Sequence, residues 1–202
     1  MTEVCLVSGA KQFSIVVLAG GQSRRMGRDK AALFWKDGDI LGSLITRLLP
    51  LSDDVLVVSN TVRTIGELAR QVADIIPGKG PLSGIHAGLI YARHDLVFVT
   101  ACDVPFLVPE LVPELVHAVG LADGSVVVYK EQIEPLFACY RKGCAAVIEQ
   151  LLAEEQYRIT DLLAQINWVA VRQLDDLDEC CFMNINTRND YEKAKAILAK
   201  GR

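Results

Sequence analysis

Several features that mark common protein classes are missing from this sequence. No apolar run approaches the ~20 residues of a membrane-spanning helix. Ile15–Ala19 and Leu96–Val99 are typical of its short hydrophobic stretches. The six cysteines (Cys5, Cys102, Cys139, Cys144, Cys180 and Cys181) form no C-x-x-C pair. None stands at zinc-finger spacing from His86, His94 or His117. Cys180 and Cys181 are adjacent, which is poor geometry for a mutual disulfide. This usage predicts reduced, mostly buried thiols and a cytoplasmic protein. Met1–Lys11 has no apolar core flanked by positive charge, so no secretory leader is expected. Positive charge is not in excess: Lys plus Arg is 21, Asp plus Glu is 25, and the net charge is −4. That balance argues against a nucleic-acid partner.

Familiar catalytic and phosphate motifs are absent too. There is no G-x-x-x-x-G-K-[ST] loop and no G-x-G-x-x-G after the first strand. The nearest stretch, Gly78-Lys79-Gly80-Pro81, carries a proline where an amide donor would be needed. No serine lies in a nucleophile-elbow pattern. The three histidines show no partner pattern and read as structural or surface residues.

What is present is an ordinary globular composition over 202 residues, 51% hydrophobic and 23% charged. A chain of this length hides roughly 70% of its unfolded surface without staples, so residues 1–202 are read as one domain. Strands are predicted over 14–18, 54–59, 74–76, 96–100, 125–129, 134–140, 168–172 and 182–185. Helices are predicted over 39–49, 64–73, 82–92, 109–119, 143–153, 160–165 and 188–199, the first capped by Asp39 and stopped by Pro50. The strands are continuous Val/Ile/Leu runs, as expected where both faces are covered. Their alternation with helices predicts an α/β fold, a three-layer sandwich around a mostly parallel, mixed sheet. Antiparallel strands are expected after Val126. Trp35 and Trp168 are expected to pack in or near the core.

Four segments carry candidate chemistry. The first is Leu18–Lys30, L-A-G-G-Q-S-R-R-M-G-R-D-K, directly after a buried strand. Ligands of open α/β sheets sit beyond the carboxyl ends of strands. Gly20 and Gly21 let backbone amides converge on an anion, and Arg24, Arg25, Arg28 and Lys30 supply positive charge for a polyphosphate. The second is Asp103, a carboxylate ending the apolar run from Leu96. Beside a polyphosphate it needs a bridging cation, and Mg²⁺ bound by one or two carboxylates plus phosphate oxygens suits that role. Asp103 reads alternatively as a turn residue before Pro105. The third is Gly80-Pro81-Leu82-Ser83-Gly84 with Asp74: small residues that let a base approach, and a carboxylate to accept from base or ribose. It reads equally as a rigid turn with a helix start. The fourth is Asn184-Ile185-Asn186-Thr187, whose alternating asparagines share one face of a strand. Taken alone, they read more readily as turn and capping residues.

These motifs together resemble those of the nucleotidyltransferases with the nucleotide-diphospho-sugar transferase fold, a Rossmann-like α/β architecture. Within that group the sequence is most similar to the molybdenum cofactor guanylyltransferase family. The loop at 18–30, G-P-L-S-G at 80–84, A-C-D-V-P-F at 101–106 and N-I-N-T at 184–187 stand in the family's order and near its spacing. The resemblance implies transfer of GMP from GTP to the terminal phosphate of molybdenum-loaded molybdopterin, with pyrophosphate released. It implies that Leu18, Ala19, Gly20 and Gly21 hold the nucleotide, that Arg25 and Lys30 sit on its phosphates, and that Asn60 and Asp74 contact it. It further implies Asp103 as the Mg²⁺ ligand, with Asn184 and Asn186 near the metal or the pterin. Catalytic roles thus fall on Arg25, Lys30 and Asp103. Transient contacts with other molybdenum-cofactor proteins are also implied. The sequence departs from the family's commonest pattern in the long lead Met1–Phe13 and the bulky turn Phe34–Asp39. Two alternatives remain open: the same fold with another base or acceptor, such as a molybdopterin cytidylyltransferase or a sugar-phosphate nucleotidyltransferase, and a nucleotide-binding module without catalysis. The L-A-G-G form favours guanine by family likeness.

Overall fold

A computed structural model of the chain describes residues 12–20, 30–36, 38–67, 69–172 and 178–200. The first buried run forms β1 (Phe13–Leu18), and a small hairpin follows, β2 (Phe34–Trp35) and β3 (Gly38–Asp39). Then come α1 (Ile40–Leu48), β4 (Val55–Val58), β5 (Ala69–Val72), α2 (Pro81–Tyr91), β6 (Leu96–Ala101) and α3 (Leu111–Ala118). The remainder is β7 (Gly124–Tyr129), β8 (Gln132–Arg141), α4 (Cys144–Ala153), α5 (Ile159–Gln165), β9 (Trp168–Val171) and α6 (Arg188–Ala199). Seven strands make one sheet in the order β5-β4-β1-β6-β8-β7-β9. β8 runs antiparallel to both its neighbours, and the other pairings are parallel.

Every residue of β1 is buried, and burying one Val, Leu or Ile side chain is worth roughly 1.5–3 kcal/mol. Ile15 and Val17 point to one face, where α1 and α3 supply Leu41, Leu44, Leu48, Val112 and Leu115. Val16 and Leu18 point to the other, against α2, α4 and α5. The sheet is therefore sandwiched, as the unbroken apolar runs predict. A third cluster joins Trp35, Ile40, Ile185 and Ala194 and ties α6 to the hairpin. Trp35 is 2% exposed and meets Phe106 edge-to-face at 5.4 Å, so this residue of the bulky turn belongs to the core.

Local chemistry sets the ends of the helices. The Asp39 carboxylate accepts from the Gly42 amide at 2.6 Å and starts α1. Thr187 and Asp190 form a reciprocal capping box at the start of α6. Gly80, at φ 74°, turns the chain into α2, with Pro81 as first residue.

Three expected elements differ. Residues 64–73 are not a helix: Gly66 sits at φ 71°, and 69–72 become β5, paired in parallel with β4. The open edge of β4 needs backbone partners, and that requirement overrides the local helical pattern. Asp74–Ile76 follows this strand as irregular chain. Phe182–Ile185 is no strand either. A 3-10 turn over Glu179–Phe182, begun by Asp178 accepting from Cys180, runs into a short extended connection.

Among the described residues Cys139, Cys144 and Cys181 are buried free thiols, and Cys102 and Cys180 are half-buried. Burial pushes the Cys139 thiol up to about 12 and Cys144 up to about 11. His86 is buried and pairs with Glu149 at 2.9 Å. No helix among the described residues is long and apolar enough to cross a membrane.

Candidate functional site

β4, β1 and β6 lie side by side, and their register brings Val58, Leu18 and Ala101 level at the carboxyl end of the sheet. The candidate residues beyond those ends are therefore neighbours. Leu18 and Ala19 are buried, and Gly20 is exposed just beyond them. The Cys102 amide donates to the Leu18 carbonyl at 3.0 Å, and the Ala19 amide donates to the Val58 carbonyl at 2.9 Å. β1 is thus fixed on both sides up to the residue where ligand contact is expected. Gly21, Arg24, Arg25 and Arg28 and the side chain of Lys30 lie outside the described residues.

Beyond β4, Asn60 and Asp74 form a reciprocal pair. The Asn60 amide donates to Asp74 Oδ2 at 2.9 Å, and the Asp74 N–H donates to Asn60 Oδ1 at 2.9 Å. The pair joins the exits of β4 and β5 and leaves the other Asp74 oxygen turned toward α2. A Cβ placed on Gly84 would lie 3.1 Å from Leu18 Cδ2 and 3.7 Å from Asp74 Oδ1. Gly84 hence lets α2 pack closely against Leu18 of β1 and beside Asp74.

Beyond β6, Asp103 is half-buried, and its carbonyl accepts from the Ile185 amide at 2.8 Å. Ile185 is fully buried, whereas Asn184 and Asn186 on either side are exposed. Asn184 and Asn186 are both exposed, on irregular chain rather than on the expected strand. The loop after Asp103 is held from α1: Arg47 donates to the Pro105 carbonyl at 2.7 Å and to the Leu107 carbonyl. Burial lowers the Arg47 pKa from its ordinary value.

The structure brings Leu18, Ala19, Gly20, Asn60, Asp74, Asp103, Asn184 and Asn186 to one end of the sheet. One residue there escaped sequence reading. Arg63, in the β4–β5 connection, donates from Nη2 to the Ala19 carbonyl at 2.7 Å and from Nε to Ser59 Oγ at 3.0 Å. Its stretch resembles the approach to a helix, so nothing local marks it as a partner of β1.

The residue types suit a hard cation: Asp103 is a carboxylate, and Asn184 and Asn186 flank the residue whose amide bonds its carbonyl. Mg²⁺ takes few protein ligands and completes its shell with phosphate and water. Among the described residues no group of three or more His, Cys, Asp or Glu gathers into a protein cage for a metal.

A sheet of this order matches known proteins closely. The MobA-like NTP transferase domain family matches residues 15–173. Solved structures agree. The molybdopterin-guanine dinucleotide biosynthesis protein A of Archaeoglobus fulgidus superposes with a TM-score of 0.80 at 25% identity, covering 93% of this chain and 99% of that one. A 4-diphosphocytidyl-2C-methyl-D-erythritol synthase from Anaerococcus prevotii, 14% identical, shares the fold with a TM-score of 0.70 over 93% of this chain and 98% of its own. Fold and site together define a nucleotidyltransferase. Curated relatives narrow the class. The molybdenum cofactor guanylyltransferase of Desulfosudis oleivorans is 35% identical over 93% of this chain and 96% of its own length. That of Syntrophotalea carbinolica is 36% identical over 89% of each. The chain belongs to the molybdenum cofactor guanylyltransferase family.

Proposed function

We propose that the protein transfers GMP from GTP to the terminal phosphate of molybdenum-loaded molybdopterin, giving the guanine dinucleotide cofactor and pyrophosphate. The observation that carries this reading is the meeting of the Leu18–Gly20 backbone, the Asn60–Asp74 pair and Asp103 at the level ends of β1, β4 and β6. The reaction needs no protein nucleophile. A terminal phosphate oxygen of the pterin forms a bond to the α-phosphorus of GTP, and the bond from that phosphorus to the bridging oxygen breaks. Catalysis is then positioning and charge neutralisation.

The family resemblance assigns the roles. Gly20 and Gly21 lie against the nucleotide, and Asn60 and Asp74 face its base and ribose. Arg25 and Lys30 neutralise the departing pyrophosphate. Asp103 holds Mg²⁺, with Asn184 and Asn186 facing the metal or the pterin. When bound there, the ion supplies charge neutralisation at the α-phosphate. A cytoplasmic location and transient contacts with other molybdenum-cofactor proteins belong to the same reading.

The test is a calorimetric titration with GTP, CTP and ATP, with and without Mg²⁺, joined to a pyrophosphate-release assay with molybdopterin. Mg²⁺-dependent binding selective for GTP is expected. Asp103→Asn is expected to slow release roughly 100-fold or more, which is a few kcal/mol of barrier. Near-wild-type release in that variant would remove the metal role from Asp103. Preference for CTP would make the protein a cytidylyltransferase on the same fold, and binding without release would make it a non-catalytic module.

A further inference from the structure

We propose that Arg63 is a positioning residue that presets the nucleotide-facing amide of Gly20. The inference rests on the reading of Leu18–Gly20 as the nucleotide's backbone contact. The parallel ladder between β1 and β4 runs out at the Ala19 amide, which donates to the Val58 carbonyl. One step further, the Ala19 carbonyl receives the Arg63 guanidinium instead, at 2.7 Å. A charge-assisted bond of that length is among the stronger ones available to a carbonyl.

The arginine is itself held at several points. Its Nε donates to Ser59 Oγ at 3.0 Å, and its backbone N–H donates to Gln71 Oε1 at 3.0 Å. The Gln71 amide nitrogen donates to the carbonyls of Ser59 at 3.2 Å and Thr61 at 2.8 Å. Ser59 Oγ in turn donates to the Thr61 carbonyl at 2.9 Å. Head and backbone of Arg63 are thus both tied to the exit of β4, a rigid base from which to reach across to β1.

The consequence lies in the peptide that Arg63 grips. A trans peptide is planar, so its C=O and N–H point in opposite directions. Fixing the Ala19 carbonyl toward Arg63 fixes the Gly20 N–H away from it. Gly20 has no side chain; a Cβ there would meet nothing nearer than the Val58 carbonyl at 3.9 Å. The next residue is Gly21. A flip of this peptide turns ψ of Ala19 and φ of Gly20, and glycine at the second place accepts the φ values a flip requires. Without the arginine, the Gly20 amide would sample orientations that present a carbonyl, not a donor, to the ligand. Arg63 removes that freedom before the nucleotide arrives, so the bound nucleotide does not have to order the peptide.

The test compares Arg63→Ala and Arg63→Lys with the wild-type chain. Calorimetry with GTP, steady-state release of pyrophosphate and thermal melting are measured on each. For Arg63→Ala the Kd and KM for GTP are expected to rise about tenfold, the loss of one charge-assisted contact, with kcat within about twofold. Arg63→Lys is expected to recover part of the affinity, because an ammonium reaches the Ala19 carbonyl but lacks the fork to Ser59. If Kd and KM stay unchanged in both variants while melting falls, Arg63 is a scaffold residue and the proposal is overturned. A fall in kcat with KM unchanged overturns it as well. Should Arg63→Ala fail to fold, Arg63→Lys alone decides, since its affinity is expected to lie measurably below wild type. The wild type is also titrated with CTP and ATP. A preference for either refutes the guanylyl reading, and Arg63 is then scored on the preferred nucleotide.

Discussion

Asp54 shows what a single residue can stabilise at the end of the sheet opposite the site. Its side chain is fully buried. It accepts from Ser14 Oγ at 2.6 Å, from the Arg93 amide at 2.8 Å and from Arg70 Nη2 at 2.6 Å. Burial by itself would raise this carboxyl, but those hydrogen bonds and the Arg70 charge outweigh it and hold the group below its ordinary value. A depressed folded value stabilises the protein above the unfolded pKa of about 3.9, and the contribution is lost as pH falls through the folded value. Asp54→Asn is therefore expected to lower stability at neutral pH by about 3 kcal/mol. The gap should shrink as denaturant melts are repeated below pH ~4; an equal gap at both pH values would show that the charge is not what matters. Nothing in the sequence distinguishes Asp54 from an exposed residue at a strand start, just as nothing marks Arg63. Both act through partners distant in the chain. The placement of Asp103 and the Leu18–Gly20 run at strand ends was legible because each directly follows or ends an apolar strand.

Among the elements, α2 depends on a residue with no side chain. A Cβ on Gly88 would fall 2.7 Å from Val16 Cγ1 and 2.9 Å from its Cγ2. Val16 is fully buried in the middle of β1, so it has no room to yield. Gly88→Ala is expected to destabilise by about 1–3 kcal/mol despite the better helix propensity of alanine. Gly143, where a Cβ meets nothing within 4 Å, is the control; Gly143→Ala should stay within about 0.5 kcal/mol in the same urea titration. Most strands and helices were legible, since Val-rich runs and amphipathic stretches alternate cleanly. Two of the three misread segments share a cause. Residues 64–73 and 182–185 have ambiguous local patterns, and their conformation is decided by what lies beside them: the edge of β4 in one case, the Asp103 carbonyl in the other.

For the whole molecule, the parallel sandwich was legible, but its strand order was not. An antiparallel strand after Val126 was expected and is β8, but its place between β6 and β7 depends on which edges remain unpaired, and no local signal encodes that. The same holds for the closure of α6 on the hairpin. Tyr191 Oη donates to the Phe34 carbonyl at 2.6 Å, and Trp35 packs with Ile185 and Ala194. This third cluster thus supports the amide that holds Asp103. Trp35→Ala is expected to cost about 3–5 kcal/mol. Hydrogen exchange at the Ile185 amide should quicken well before that of β1, because the cluster opens locally while the sheet persists. Equal acceleration at both would mean that the cluster and the sheet unfold as one unit.

The bond between Ile185 and Asp103 also bears on biosynthesis. Ile185 follows every strand of the sheet along the chain. A nascent polypeptide can therefore assemble all seven strands while the carbonyl of Asp103 still awaits its donor. The support of Asp103 by Ile185 is therefore the last of these contacts for which the chain supplies both partners, after the sheet residues have all been made.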